Sequence, residues 1–145
     1  MRVYLLHHAD AVGPQVDPQR PLSADGLQHA GRLAEQARVR GCTPAAIWHS
    51  GKLRARQTAE SFWRVCAPFA EFKMVRGLLP DDPPEIIANA ILRETRDLLL
   101  AGHMPNIAAV LRRFGGDAAA FPMHGLVALE TGDSGVSWQQ LWRLS

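Results

Sequence analysis

Val3-Tyr4-Leu5-Leu6-His7-His8-Ala9-Asp10 is the stretch that decides the fold. Val3 to Leu6 is a short apolar run, partly β-branched and aromatic, the pattern of a buried strand. It ends in two adjacent histidines. In open α/β sheets the ligand crevice lies outside the carboxyl ends of the strands, so His7 and His8 stand where chemistry is expected. Neighbouring side chains on a strand point to opposite faces, so the two rings share a pocket only if the strand is ending there.

Outward from this stretch, the chain alternates between strand and helix patterns. Ser23 reads as an N-cap, and Leu27, Ala30, Leu33, Ala34 and Ala37 recur at helical spacing over Ala24 to Arg40, before Gly41. Ala45 to His49 is a second strand, ended by Ser50-Gly51. A helix follows from Lys52 to about Val65, with Arg54 in its first turn. Glu71 to Val75 alternates like a half-exposed strand, and a loop dense in proline and acid leads to a helix over about Pro84 to Glu94. Asp97 to Ala101 is nearly all apolar, as a central strand is, and ends in Gly102-His103. Pro105 opens a helix that Gly115-Gly116 closes. Met123 to Glu130 and Val136 to Leu144, joined across Thr131-Gly132-Asp133-Ser134-Gly135, read as a hairpin on the sheet edge. The expected class is α/β, a three-layer sandwich with a mainly parallel sheet, an antiparallel edge and helices on both faces.

The chain of 145 residues is expected to form one domain over 1–145, long enough to bury about two-thirds of its unfolded surface. A net charge of +2 and a pI of about 8.8 give no strong field for nucleic acid or anionic membrane. Lys52 and Lys73 are the only lysines; the other cations are arginines, whose planar fork suits phosphate and carboxylate. The arginines are spread over several elements, and Trp48, Trp63, Trp138 and Trp142 read as packing residues, so nucleic acid is not an expected partner. Cys42 and Cys66 have neither metal-ligand nor redox-motif spacing, which fits a reduced, cytoplasmic setting. No leader pattern follows Met1, and no apolar run approaches the roughly 20 residues that span a bilayer.

Three strands end in residue types that phosphoryl transfer uses: His7-His8, Ser50 with Arg54, and Gly102-His103. Two facing histidines with an arginine between them suit attack on a phosphate, one imidazole as nucleophile and the other groups neutralising the equatorial oxygens. That chemistry needs neither metal nor cofactor. Other readings compete with it: Arg54 pairing with a carboxylate, His103 capping a helix, or His7, His8 and His103 holding a metal. The metal reading lacks HxH or HExxH spacing and places an arginine beside the cation. His49 and His124 belong to no motif and read as structural.

Taken in order, these segments resemble the histidine phosphatase superfamily, with its phosphoglycerate-mutase-like fold, and within it the small phosphohistidine phosphatases called SixA-like. Leu5 to Asp10 matches the opening strand and histidine signature. Arg20-Pro21-Leu22-Ser23 with Gly26, Ser50 to Ala59, and Gly102-His103-Met104-Pro105 match the later segments. The resemblance covers nearly the whole chain. It implies His8 as the phosphorylated nucleophile, Arg54 as a phosphate clamp, His103 as the second histidine stabilising the transferred group, and Arg20 near the pocket mouth. It also implies a carboxylic acid after the third strand. Asp81, Asp82 and Glu85 are the candidates, with Asp82 preferred. The implied partner is a phosphorylated protein, such as one carrying phosphohistidine, or a small phosphorylated substrate. The short chain leaves the pocket open, which suits a phosphate presented on a protein surface.

One position departs from the family. His7 stands where the signature arginine precedes the nucleophile, and loss of a preorganised donor of that kind typically costs ~10²–10³ in rate. Three outcomes follow: a bound phosphate protonates His7, which still clamps it; the enzyme is slow; or the chain is a weakened or inactive member that binds phosphate or phosphoproteins.

Overall fold

Strand β1 (Arg2–His7) is buried on both sides because helices cover both faces of the sheet it belongs to. Val3 and Leu5 join one apolar cluster with Ile87, Ile91, Ile107 and Val110. Tyr4 and Leu6, pointing the other way, join a second with Leu33, Ala34, Ala37 and Phe62. This is the period-2 alternation of a strand between two helical layers. The computed structural model describes residues 1–132 and 135–145.

The element order is β1, α1 (Ala24–Val39), β2 (Ala46–His49), α2 (Leu53–Cys66), β3 (Glu71–Met74), α3 (Pro84–Leu92), β4 (Leu98–Gly102), α4 (Asn106–Arg113), a 3₁₀ turn at Ala118–Ala120, β5 (Leu126–Thr131) and β6 (Trp138–Leu144). One sheet runs in the order β3-β2-β4-β1-β5-β6. β3, β2, β4 and β1 are parallel, while β5 and β6 are antiparallel additions. α1 and α2 pack on the face that holds Tyr4 and Leu6, and α3 and α4 on the other. The fold is therefore the expected α/β three-layer sandwich, a mainly parallel sheet with an antiparallel edge. Among the described residues, no helix is long and apolar enough to cross a membrane.

Two local readings change. Leu27 is 45% exposed, because α1 buries Gly26, Ala30, Leu33, Ala34 and Ala37 instead. The buried face of α1 is thus made mostly of small side chains, and Leu27 lies outside it. The strand read from Met123 begins only at Leu126. The preceding residues form a turn in which the Gly125 amide donates to the Pro122 carbonyl, with His124 at φ 54°. The link between β5 and β6 was read across Asp133 and Ser134, which lie outside the described residues.

Ser23 caps α1 by accepting from the Gly26 amide, and its hydroxyl donates to the Asp10 carboxylate at 2.7 Å. Gly26 sits so close to the loop after β1 that a Cβ there would run into the Asp10 carbonyl oxygen. Replacing glycine by alanine inside an exposed helix gains about 1 kcal/mol. Here the obstacle is backbone, and overpacking of this kind costs about 1–3 kcal/mol. Gly26→Ala is expected to lower the free energy of urea unfolding by that amount; a variant as stable as wild type would show that the loop yields freely.

Candidate active site

The site forms because β1 and β2 both pair with β4 in parallel, which brings three carboxyl ends side by side. The register sets His7 against Gly102 and His49 against Ala101, and the His8 amide donates to the Gly102 carbonyl at 3.1 Å. β1 stops at His7, so the two adjacent imidazoles are not driven to opposite faces. Their ring centroids lie 4.6 Å apart. His103, the first residue after β4, brings its ring to 5.0 Å from that of His8.

Hydrogen bonds assign the protons on two of these rings. His8 Nδ1 lies 2.7 Å from the Ala9 carbonyl, and a carbonyl only accepts, so Nδ1 carries the proton and Nε2 keeps a free lone pair. His7 Nδ1 accepts from the His124 amide at 2.8 Å, so His7 is an N–H donor through Nε2. His103 Nε2 lies 2.7 Å from Ser50 Oγ, which also accepts from the Lys52 amide. The hydroxyl has a second lone pair and a proton of its own, so it serves either tautomer of His103. His103 Nδ1 and Arg54 Nε are buried and have no protein hydrogen-bond partner.

Burial pushes the His7 imidazole down to about 3, with His8, His124 and Arg54 adding to the effect. Burial likewise pushes His8 down to about 4, against the opposing bond to Ala9, and His103 down to about 3. Arg54, in the first turn of α2, is lowered by burial and then by Arg20, yet a guanidinium stays charged. The three rings are thus neutral near pH 7 and Arg54 supplies positive charge. Of the three outcomes open for His7, protonation by a bound phosphate would have to displace the amide proton that its second nitrogen faces.

Other residues hold this arrangement in place. Thr58 Oγ1 accepts the Ala9 amide at 3.0 Å and donates to the Arg54 carbonyl at 2.7 Å, which locks the loop after His8 to the helix that carries Arg54. Gln57 Oε1 accepts the Leu22 amide and secures the Arg20 segment. Arg20 donates from Nε to the Val12 carbonyl at 3.0 Å, and its charge acts on His8 and Arg54.

The acidic candidates lie elsewhere. Asp81 and Glu85 are exposed. Asp82 Oδ2 accepts the Leu79 amide at 3.0 Å, and its carbonyl accepts from Asn106 Nδ2. Asp82 lines a hollow of about 740 Å³ with Ser50, Met74, Arg76, Leu79 and Ile86. None of the imidazoles lines that hollow, so the anion position is read from the histidines and Arg54, with the hollow beside them. Gln19, Lys52, Arg54 and Arg56 border a second opening of about 410 Å³.

Of the histidines set aside as structural, His49 is buried against Phe72 and accepts the Gly51 amide. His124 is different. Its ring stacks on His7 at 5.0 Å with 7° between planes, and its Nδ1 lies 2.7 Å from the His8 carbonyl. The signal in the sequence was Pro122-Met123-His124-Gly125, a turn pattern that could have stopped the strand early. His7, His8 and His124 each place one potential metal-binding nitrogen within 4.8 Å of the others. However, the hydrogen bonds leave only His8 Nε2 and His124 Nε2 with unclaimed lone pairs, and Arg54 acts on the same rings. That is a poor cation site.

The architecture is an α/β sandwich of the phosphoglycerate-mutase-like fold, with histidines at the carboxyl ends of β1 and β4. The chain is similar in structure to the protein assigned as the phosphohistidine phosphatase SixA of Agrobacterium tumefaciens, with a TM-score of 0.83, 26% identity, and 99% of this chain and 97% of that one covered. It is also similar to the protein histidine phosphatase SixA complexed with tungstate, with a TM-score of 0.87 at 20% identity over 100% and 97% of the two chains. A phosphoserine phosphatase from Entamoeba histolytica shares the fold at a TM-score of 0.70 and 13% identity, over 98% of this chain and 95% of that one. No family model and no curated protein matches the sequence.

The depressed imidazoles carry a sign. A histidine whose folded pKa lies below its ordinary 6.5 binds fewer protons folded than unfolded, so stability falls as pH drops from about 6.5 towards 3. The ring resonances of His7, His8 and His103 are expected to hold still from pH 7.5 to 5, while the urea midpoint drops below pH 6.5. Titration of any of these rings near 6.5 would contradict the neutral site.

Proposed function

We propose that the protein is a metal-independent phosphatase that works through a phosphohistidine on His8, with a phosphohistidine or other phosphoprotein as substrate. The observation that carries this reading is electronic: an N–H on His7 Nε2 and the Arg54 guanidinium accompany an unprotonated Nε2 on His8, with the His103 ring beside it. A phosphoryl group matches that set, with an electrophilic centre for the lone pair and oxygens for the donors.

In this mechanism His8 Nε2 attacks phosphorus in line and the leaving group departs. His8 becomes a phosphoimidazolium whose Nδ1–H stays on the Ala9 carbonyl. Water then attacks phosphorus, the P–N bond breaks, and inorganic phosphate leaves with His8 Nε2 free again. Arg54 and His103 hold the equatorial oxygens throughout, and Arg20 stands at the mouth. Asp82, in the hollow beside Ser50, is the carboxylate for protonating an ester oxygen. A phosphohistidine, with its labile P–N bond, needs that help less. The basic border of Lys52, Arg54 and Arg56 favours an anionic protein surface over an enclosed small molecule.

A second reading, a phosphate- or phosphoprotein-binding module, draws on the neutral His7 in place of a guanidinium. Labelling separates the two. ³²P-phosphoramidate is expected to leave acid-labile label on the wild-type protein and none on His8→Ala, with turnover insensitive to EDTA. Binding without label would support the module. Arg54→Gln is expected to lower kcat/KM by ~10²–10³. Asp82→Asn is expected to slow hydrolysis of an aryl phosphate more than that of a phosphoramidate; equal effects on both would remove Asp82 as the acid.

A further inference from the structure

His124 is held in place as firmly as the residues that the motifs single out. Its backbone adopts φ 54°, a left-handed conformation in which histidine is uncommon and which persists where surrounding structure imposes it. Its amide donates to His7 Nδ1 at 2.8 Å, its ring stacks on His7, and its Nδ1–H donates to the His8 carbonyl at 2.7 Å. The half-buried ring is fixed at both ends of the histidine pair.

These bonds distinguish the three rings by what a further proton would cost. On His7 it would have to sit on Nδ1, against the amide that already donates there. On His8 it would occupy the lone pair that meets phosphorus. On His124 it enters at Nε2 and leaves every existing hydrogen bond intact. His124 is the one ring of the three that can become a cation without rearrangement.

On the reading that this pocket takes a phosphoryl group, we propose that His124 is a further phosphate-binding residue, which gains a proton on Nε2 as the anion arrives and donates it to a phosphoryl oxygen. The proton comes from solvent and returns to it when the anion leaves. His7 then supplies a neutral donor and His124 the charge, so that two stacked rings share the work of one guanidinium.

The titratable groups on which His124 acts are His7 and His8 from β1 and His29 from α1. His29 is itself in reach of Ser145, and Arg54 from α2 acts on His7 and His8. There is no carboxylate among these imidazoles and the guanidinium, so in this proposal a bound dianion is the anionic partner of His124. Protonation is therefore coupled to binding.

Sulfate tests this, since it stays fully ionised and any proton taken up belongs to the protein. Calorimetric titration at pH 7.5 in buffers of different ionisation enthalpy is expected to show uptake of about one proton per sulfate. His124→Asn tolerates the left-handed backbone and can keep an N–H on the His8 carbonyl, but it has no second nitrogen to titrate. It is expected to bind sulfate roughly tenfold to a hundredfold more weakly, without proton uptake. In wild-type protein labelled with ¹⁵N-histidine, the His124 Nε2 signal is expected to move from the unprotonated to the protonated range on sulfate addition, a readout independent of any variant. Unchanged uptake in His124→Asn, sulfate binding without uptake, no sulfate binding by wild type, or a His124 signal that stays put would each overturn the assignment. Label on His8 without proton linkage overturns His124 alone. Proton linkage without label on His8 overturns the phosphatase reading and leaves His124 as the cation of an anion site.

Discussion

The parallel pairing of β1 with β4 is the constraint on which the site depends. Each strand is buried on both faces, so a one-residue slip would turn every apolar side chain to the wrong layer. The register is fixed by the core, and with it the position of His7 opposite Gly102. The hydrogen bond from His8 to the Gly102 carbonyl extends this pairing one step beyond the strand, into the chemistry. Residues more than 90 positions apart in the chain are thereby placed ring to ring.

The core fixes where the imidazoles are, and backbone groups fix what they are. A carbonyl beside His8 and an amide beside His7 act as opposite instructions to identical side chains. One leaves an unprotonated outer nitrogen and the other an N–H. Burial then keeps both rings neutral by penalising the charged form. Positive charge is thus concentrated in Arg54, whose buried Nε has no protein acceptor. The cost of leaving such a donor unmatched is about 1–3 kcal/mol or more, the kind of expense that functional sites carry.

The loops around the site are tied down to match. Thr58 joins the Ala9 amide to the Arg54 carbonyl, Ser23 joins Asp10 to the start of α1, and Gly26 lets the helix approach that loop. The loop after His8, the helix that carries Arg54 and the start of α1 are therefore tied to one another. Rigid support of this kind lets short side chains act as preorganised donors.

The apolar runs, the helix caps and the order of strand ends were legible in the sequence, because periodicity and capping are local consequences of backbone geometry. They determined the layered α/β class and placed His7, His8, Arg54 and His103 at strand ends and helix starts. Arg20 and Asp82 could be named only by resemblance. The sequence also misjudged where β5 begins, since Met123 and the residues after it are compatible with a strand until the turn at His124 and Gly125 interrupts it. Only the tertiary structure decided which nitrogen of His7, His8 and His124 bears a proton, that His7 is a neutral donor, and that His124 stacks on it. Those properties come from amides, carbonyls and burial supplied by distant segments, and no local pattern of side chains encodes them.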